Sequence, residues 1–390
     1  MRQIFYFIVF LLLFVQTFFG QEVIHIDPLH TSYKTIALSD LVETIEYIPL
    51  ETNDNCLIGD VGSNEIIFSN NYILVHSKLF YLFIRNGKFV TQIGNIGNGP
   101  GEYLEYAARP FSIDEENQRI SISHSLGTEM KLMIYDFRGK YLNSVTVDKR
   151  LGAIFHAKFD KKYIMMNLNN VAKAGEPPFN YSIFSDDYKL ITEKIKNVDY
   201  TIQQTSGGFV IPKEEGFFHY LYNRMLHVKG SLNDTIYSIT QNLSFLPKYI
   251  INTGRYAITK QILSDWVMFE RVYQSRVFIS SVFENDNYVL ISYRYQNKNY
   301  YHLYDKKRHD SMLSNSTTGI PNDYDGGMDF WPKIQNGNEF ITWYNAYLFE
   351  DNVNRLKPKG SENDVGKYKK MRKEIDLESN PVLVIIKMKQ

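Results

Sequence analysis

Two turns of the same chemistry, Asn86-Gly87-Lys88-Phe89 and Arg138-Gly139-Lys140-Tyr141, recur at a spacing of roughly 50 residues, the length of a blade-type repeat. Each sits between the third and fourth of four short segments that alternate apolar and polar residues, the period of a half-buried strand. Such a unit cannot bury its apolar face alone, so it must stack on copies of itself. Comparable groups follow at 64–94, 110–147, 155–196, 207–252, 276–313 and, with a long interruption, 328–388. In the third, Asp186 and Asp187 occupy the turn that Asn86 and Gly87 fill in the first. No helix follows most of the strands, which excludes a parallel α/β fold, and a sandwich would carry fewer repeats. The pattern predicts an all-β, six-bladed β-propeller over residues 21–390.

The sixth group supplies only three strands, ending in Val382 to Met388. The segment Ile45 to Leu50 alternates, is broken by Pro49, and precedes the first complete unit without a partner of its own. Pairing these two ends is the expected closure of the ring, since it protects both edges.

Two helices interrupt the strands. Between units four and five, Ile258, Ile262, Trp266, Phe269 and Tyr273 share one helical face, either as packing or as a lid. Glu362 to Leu377 is a charged helix inside unit six, its lysines alternating with acids as on a solvated face.

Residues 1–20 form a different class of segment. Arg2 precedes an apolar run from Ile4 to Val15, followed by Gln16, Thr17 and Gly20, the layout of a signal peptide with Gln21 as the mature start. The run is short for a membrane span, so an exported, monomeric protein is expected in the periplasm or outside the cell. The 43 basic residues match 43 acidic ones, and this balance argues against nucleic acid as the main partner. The single cysteine, Cys56, allows no internal disulfide and reads as a small apolar residue.

Between units one and two lies a loop rich in glycine, Ile93 to Tyr103. It resembles the strand-to-next-blade crossing of NHL-type propellers. With Ile48, Pro49, Leu50 and Glu51; Gly94, Gly97, Gly99, Pro100, Gly101, Glu102 and Tyr103; Asp114; and Asn380, Pro381, Leu383 and Lys387, the chain resembles the secreted six-bladed β-propeller family of Bacteroides-type bacteria. The resemblance implies a six-bladed fold and export, and it implies no reaction.

The chain holds no HExxH, no paired-cysteine pattern, no phosphate loop and no GxSxG elbow. The acids of 322–329 read as a plain turn or a Ca²⁺ site, but the spacing from Asp323 puts Ile334 where an EF-hand needs glutamate. No other cofactor is expected. His124, His156 and His219 lie on strands and read as structural residues or as groups converging on a channel. Arg109 and Arg224 read as entrance-face clamps for a carboxylate, or as surface ion pairs.

Crossings and the loops between second and third strands should share one end of a propeller. This arrangement gathers Tyr103, Arg109, His124 and the loop from Asn169 to Phe179 around a channel mouth, with Arg224 as a further ligand contact. The expected function is non-catalytic binding of a glycan, peptide or exported protein there. The alternative is a metal-dependent hydrolase or lyase with its site in the channel.

Overall fold

A computed structural model describes residues 21–30, 33–62, 65–105, 110–126, 129–147, 152–168, 179–195, 218–230, 234–263, 266–349 and 356–389. Among these residues the chain is all-β and propeller-like, with six four-stranded antiparallel units and little helix. Unit one comprises Ile66–Phe68, Tyr72–His76, Phe80–Ile84 and Phe89–Ile93, and unit two Phe111–Asp114, Arg119–Leu126, Glu129–Asp136 and Tyr141–Val147. Unit three runs Gly152–Phe159, Lys162–Leu168, Phe179–Ser185 and Leu190–Ile195.

Unit four departs from the sequence expectation. Its strands are Phe218–Tyr222, Met225–Lys229, Thr235–Ile239 and Phe245–Asn252, so the second strand is Met225–Lys229, which the pattern reading passed over. The segment 207–212, expected as its first strand, lies outside the described residues. Met225–Lys229 escaped notice because Asn223 and Arg224, a tight turn with both residues at positive φ, carry none of the usual glycine punctuation. Unit five is Phe278–Glu284, Tyr288–Tyr295, Lys298–Asp305 and Asp310–Leu313.

Unit six joins both ends of the chain. Ile334–Asn336 and Glu339–Tyr344 are followed by Val382–Met388, which pairs antiparallel with Val42–Pro49, placing Leu383 opposite Ile48 and Ile385 opposite Glu46. Ile48, Leu383 and Ile385 pack with Ile66, Phe83 and Trp343 in one core that joins units six and one.

The recurring glycines are explained by the neighbouring unit. Gly87 has φ +87°, and a Cβ on it would lie 2.3 Å from the Pro49 carbonyl oxygen; on Gly139, at φ +79°, it would lie 2.1 Å from that of Gln92. In both cases the turn before the fourth strand presses on the outer strand of the preceding unit. The residue two positions further along, just past that outer strand, donates to the glycine carbonyl: Glu51 N to Gly87 O at 2.8 Å, and Gly94 N to Gly139 O at 3.2 Å. Unit three uses the same turn with Tyr188 at φ 61°, one position beyond the expected Asp186-Asp187 pair.

The segment 21–36 is a brace. Glu22–His25 adds in parallel to Phe245–Asn252, and Lys34–Thr35 adds in parallel to Asp310–Leu313, so one arm covers the outer edges of units four and five before entering unit six. Its Ile24, Ile26 and Ile36 are buried in the main core. Of the expected helix between units four and five, the described residues Lys260–Leu263 and Trp266–Val272 are helical, and Ile262 and Phe269 pack on Phe278. The charged helix spans Glu362–Glu374, is capped by Ser361, and buries Tyr368 and Met371 against unit six.

Candidate functional site

The expected crossing-end site comes together only in part. Tyr103 is fully buried; its hydroxyl donates to Ile93 O at 3.1 Å and accepts from Phe80 N at 3.3 Å, tying the crossing to unit one. It offers no surface to a ligand. His124 lies beside it and is 9% exposed, with Nδ1 accepting from Leu104 N at 3.3 Å; burial, then the nearby Lys131, lowers its pKa. Both residues therefore fasten the loop whose Glu102 carboxylate accepts from Gly99 N at 2.8 Å.

Arg109, the loop 169–178 and the side chain of His156 lie outside the described residues. Arg224 is exposed but sits in the turn between the first and second strands of unit four, at the end of the sheets away from Tyr103. The two cannot serve one site, because successive antiparallel strands put first-to-second turns and second-to-third turns at opposite ends of a unit.

The acids of 322–329 are separated by their partners. Asp325 is buried and accepts from Tyr47 Oη, Asn322 and Gly327 N; Asp323 accepts from Ser39 and pairs with Lys359; Asp329 accepts from Ser316 and Thr318.

The opposite, turn end of the molecule holds a cavity of about 520 Å³ where units five, six and one meet. The first-to-second turns supply its wall: Asn70 from unit one, Asn285 and Asp286 from unit five, and Asn336 to Asn338 from unit six. Asn336 Nδ2 donates to Asn70 Oδ1 at 3.2 Å across the gap between two units. Arg85 closes one side by a bidentate pair with Glu339, at 3.0 and 2.8 Å, while its guanidinium stacks 4.8 Å above the Phe68 ring. Lys387 approaches the same Glu339 at 3.4 Å. Beside the cavity, Gly337 N donates to Leu221 O at 3.2 Å, so the first strands of units four and six meet directly at this end.

Below Asp286 lies a buried charge network. Glu284, with no exposed surface, accepts from Tyr220 Oη at 3.0 Å, Tyr249 Oη at 2.8 Å and Lys306 Nζ at 2.6 Å, and pairs with Lys248. Burial alone would raise its pKa, but Lys248 and Lys306 outweigh burial and hold it at about 2. Burial drives the neighbouring His227 down to about 4. Tyr222 donates to Asp286, and its ring lies 5.3 Å from the Lys248 ammonium, so the network fixes one wall of the cavity.

Sequence reading missed this end, yet it carried a signal. Asn70-Asn71, Asn285-Asp286-Asn287 and Asn336-Gly337-Asn338 are asparagine-rich turns at the same place in three units. Each was legible as turn chemistry, whereas their convergence depends on the ring. Among the described residues, no three His, Cys, Asp or Glu side chains come together in a way that could hold a metal ion.

The family model described as Domain of unknown function (DUF4934) matches residues 21–387. A solved structure from Bacteroides fragilis NCTC 9343, provisionally named an exported protein, is similar in fold with a TM-score of 0.69 at 17% identity, over 94% of this chain and 100% of that one. A streptogramin B lyase structure aligns more loosely, with a TM-score of 0.41 at 10% identity over 88% of this chain and 97% of that one. No curated protein matches the sequence. Among the described residues, no helix is long and apolar enough to cross a membrane.

Proposed function

This chain belongs to the DUF4934 family, and on that premise we propose that it is an exported six-bladed β-propeller that binds a glycan in the turn-end cavity. The leader-like composition of residues 1–20 supports export. Six four-stranded units, with the pairing of Val42–Pro49 and Val382–Met388, support a closed ring of six blades.

The observation that carries the ligand class is the lining of the 520 Å³ cavity. Asn70, Asn336 and Asn338 place amide carbonyls and NH₂ groups side by side on this wall, which matches the paired donor and acceptor roles of vicinal hydroxyls, while Asn285 turns its carbonyl inward to Asn287 N and Tyr288 N. The lining charges, Arg85 and Lys387 against Glu43, Asp286 and Glu339, are close to balanced, and Arg85 and Glu339 already satisfy one another. A neutral polyhydroxylated ligand fits such a surface better than a strongly charged one, which would have to break that pair.

A glycan array followed by titration calorimetry tests the reading. Asn336→Ala and Asn338→Ala should each weaken a hit by about 0.5–1.5 kcal/mol, the net contribution of a hydrogen bond. No glycan binding, or full affinity in both variants, would refute it.

A further inference from the structure

The helix Glu362–Glu374 carries a second surface, and none of its residues lines the cavity. Its later turns pack against Tyr47 and Val382, while its first turn is tied through the Tyr324 hydroxyl, which donates to Asp364 at 2.9 Å, toward Glu43 at the other end of the same strand. Tyr368, Met371 and Ile375 face the core. A helix turns about 100° per residue, so Lys369, Lys370 and Lys373 fall together on the outward face, where all three are exposed. Lys369 and Lys373, with Lys357 in the segment leading to the helix, have no carboxylate within ion-pair distance among the described residues; Lys370 has only Glu374 at 3.8 Å.

Large apolar side chains are exposed in the segments next to this helix. Leu377, just past the helix C-terminus, is 54% exposed, and Leu356, just before Lys357, is 42% exposed. Tyr347, at 43%, precedes Phe349, whose carbonyl accepts from Arg372 of the same helix. Lysines flanked by exposed leucine and tyrosine are the makeup of an interfacial surface, in which apolar groups enter the headgroup region and ammonium groups meet anionic lipid. Charge complementarity selects the occupant. The chain as a whole has no net charge, while 356–377 holds Lys357, Lys359, Lys367, Lys369, Lys370, Arg372 and Lys373 against Glu362, Asp364, Glu374 and Asp376.

The geometry points to peripheral docking of this helix on a bilayer surface containing anionic phospholipid. The test is co-flotation of the full mature chain with vesicles of phosphatidylcholine alone and of phosphatidylcholine mixed with phosphatidylglycerol. Binding is expected only to the mixed vesicles, and it should weaken as salt rises. A variant with Lys369→Gln, Lys370→Gln and Lys373→Gln should lose on the order of a hundredfold in partitioning, at roughly a factor of five per lysine. Its thermal unfolding should match the parent, because the three side chains face solvent. Leu377→Ser, a change at an exposed position, should weaken partitioning on its own. Three results would overturn the inference: failure of the parent to bind mixed vesicles, unchanged binding by the folded triple variant, or equal competition by soluble glycerol phosphate.

Discussion

At the scale of single residues, Glu284 is the most committed group in the molecule. Its carboxylate is enclosed by two lysines and two tyrosine hydroxyls supplied by units four and five. Glu284→Gln would leave both ammonium groups without their counter-charge, and removing one partner of a buried ion pair costs about 3–5 kcal/mol. Urea unfolding should show that loss at neutral pH. The sign of the pH dependence follows from the lowered pKa. The network's contribution is complete above the ordinary carboxylate value of 4.5 and is lost as pH falls toward 2, so the difference between parent and Glu284→Gln should shrink through that window. The turn glycines offer a second test. Gly87→Ala combines a left-handed conformation, costing about 1–2 kcal/mol, with a collision against Pro49 O, whereas Gly254→Ala has the same sign of φ and open space around it. Gly87→Ala should therefore lower the thermal midpoint clearly more than Gly254→Ala, and equal shifts would contradict the stacking of that turn on the preceding unit.

Among the elements, the N-terminal arm stands out, because a segment of this composition reads as little more than a lead-in to the first strand. It covers two outer edges in parallel and buries Ile24, Ile26 and Ile36. Fully burying a side chain of this size contributes about 1.5–3 kcal/mol. A chain lacking 21–36 should consequently unfold at a lower urea concentration. It should also aggregate, since the outer strands of units four and five become open edges. Light scattering alongside the unfolding curve checks both; a truncated chain that matches its parent would show the arm to be ornamental. The helical segment between units four and five shows how an apolar face can be read from spacing alone. Ile262 and Phe269 pack on Phe278 as an inward face should.

For the whole molecule, the decisive contact is the pairing of strand Val382–Met388 with Val42–Pro49. Val382, Leu383, Val384, Ile385 and Ile386 are all buried, so this strand belongs to the core on both faces. Removing 382–390 should destabilise every unit together, because a ring that loses one strand exposes the faces on either side of the gap. The far-UV and tryptophan-fluorescence transitions should shift downward together, and retention of the parental midpoint would sink the closed-ring reading. The packing of units five, six and one brings three asparagine turns, far apart in sequence, around one cavity.

The sequence by itself determined the local chemistry. Period-two alternation, turn glycines at 87 and 139, and the orphan segment at Ile45 to Leu50 specify many short strands and an end-to-end pairing, because each depends only on backbone preference and the need to bury one face. Tertiary structure decided which side chains meet. Tyr103 and Arg224 could be singled out as aromatic and guanidinium groups near turns, but one lies in the core and the other at the far end of its unit. Burial and strand polarity set that outcome, and neither is written in a residue's type. The cavity lined by Asn70, Asp286, Asn336 and Arg85, and the enclosure of Glu284, exist only once units four, five, six and one are packed side by side. Contacts such as Arg85 with Glu339 and Asn70 with Asn336, 254 and 266 positions apart, arise from the packing of units six and one, and no local pattern encodes them.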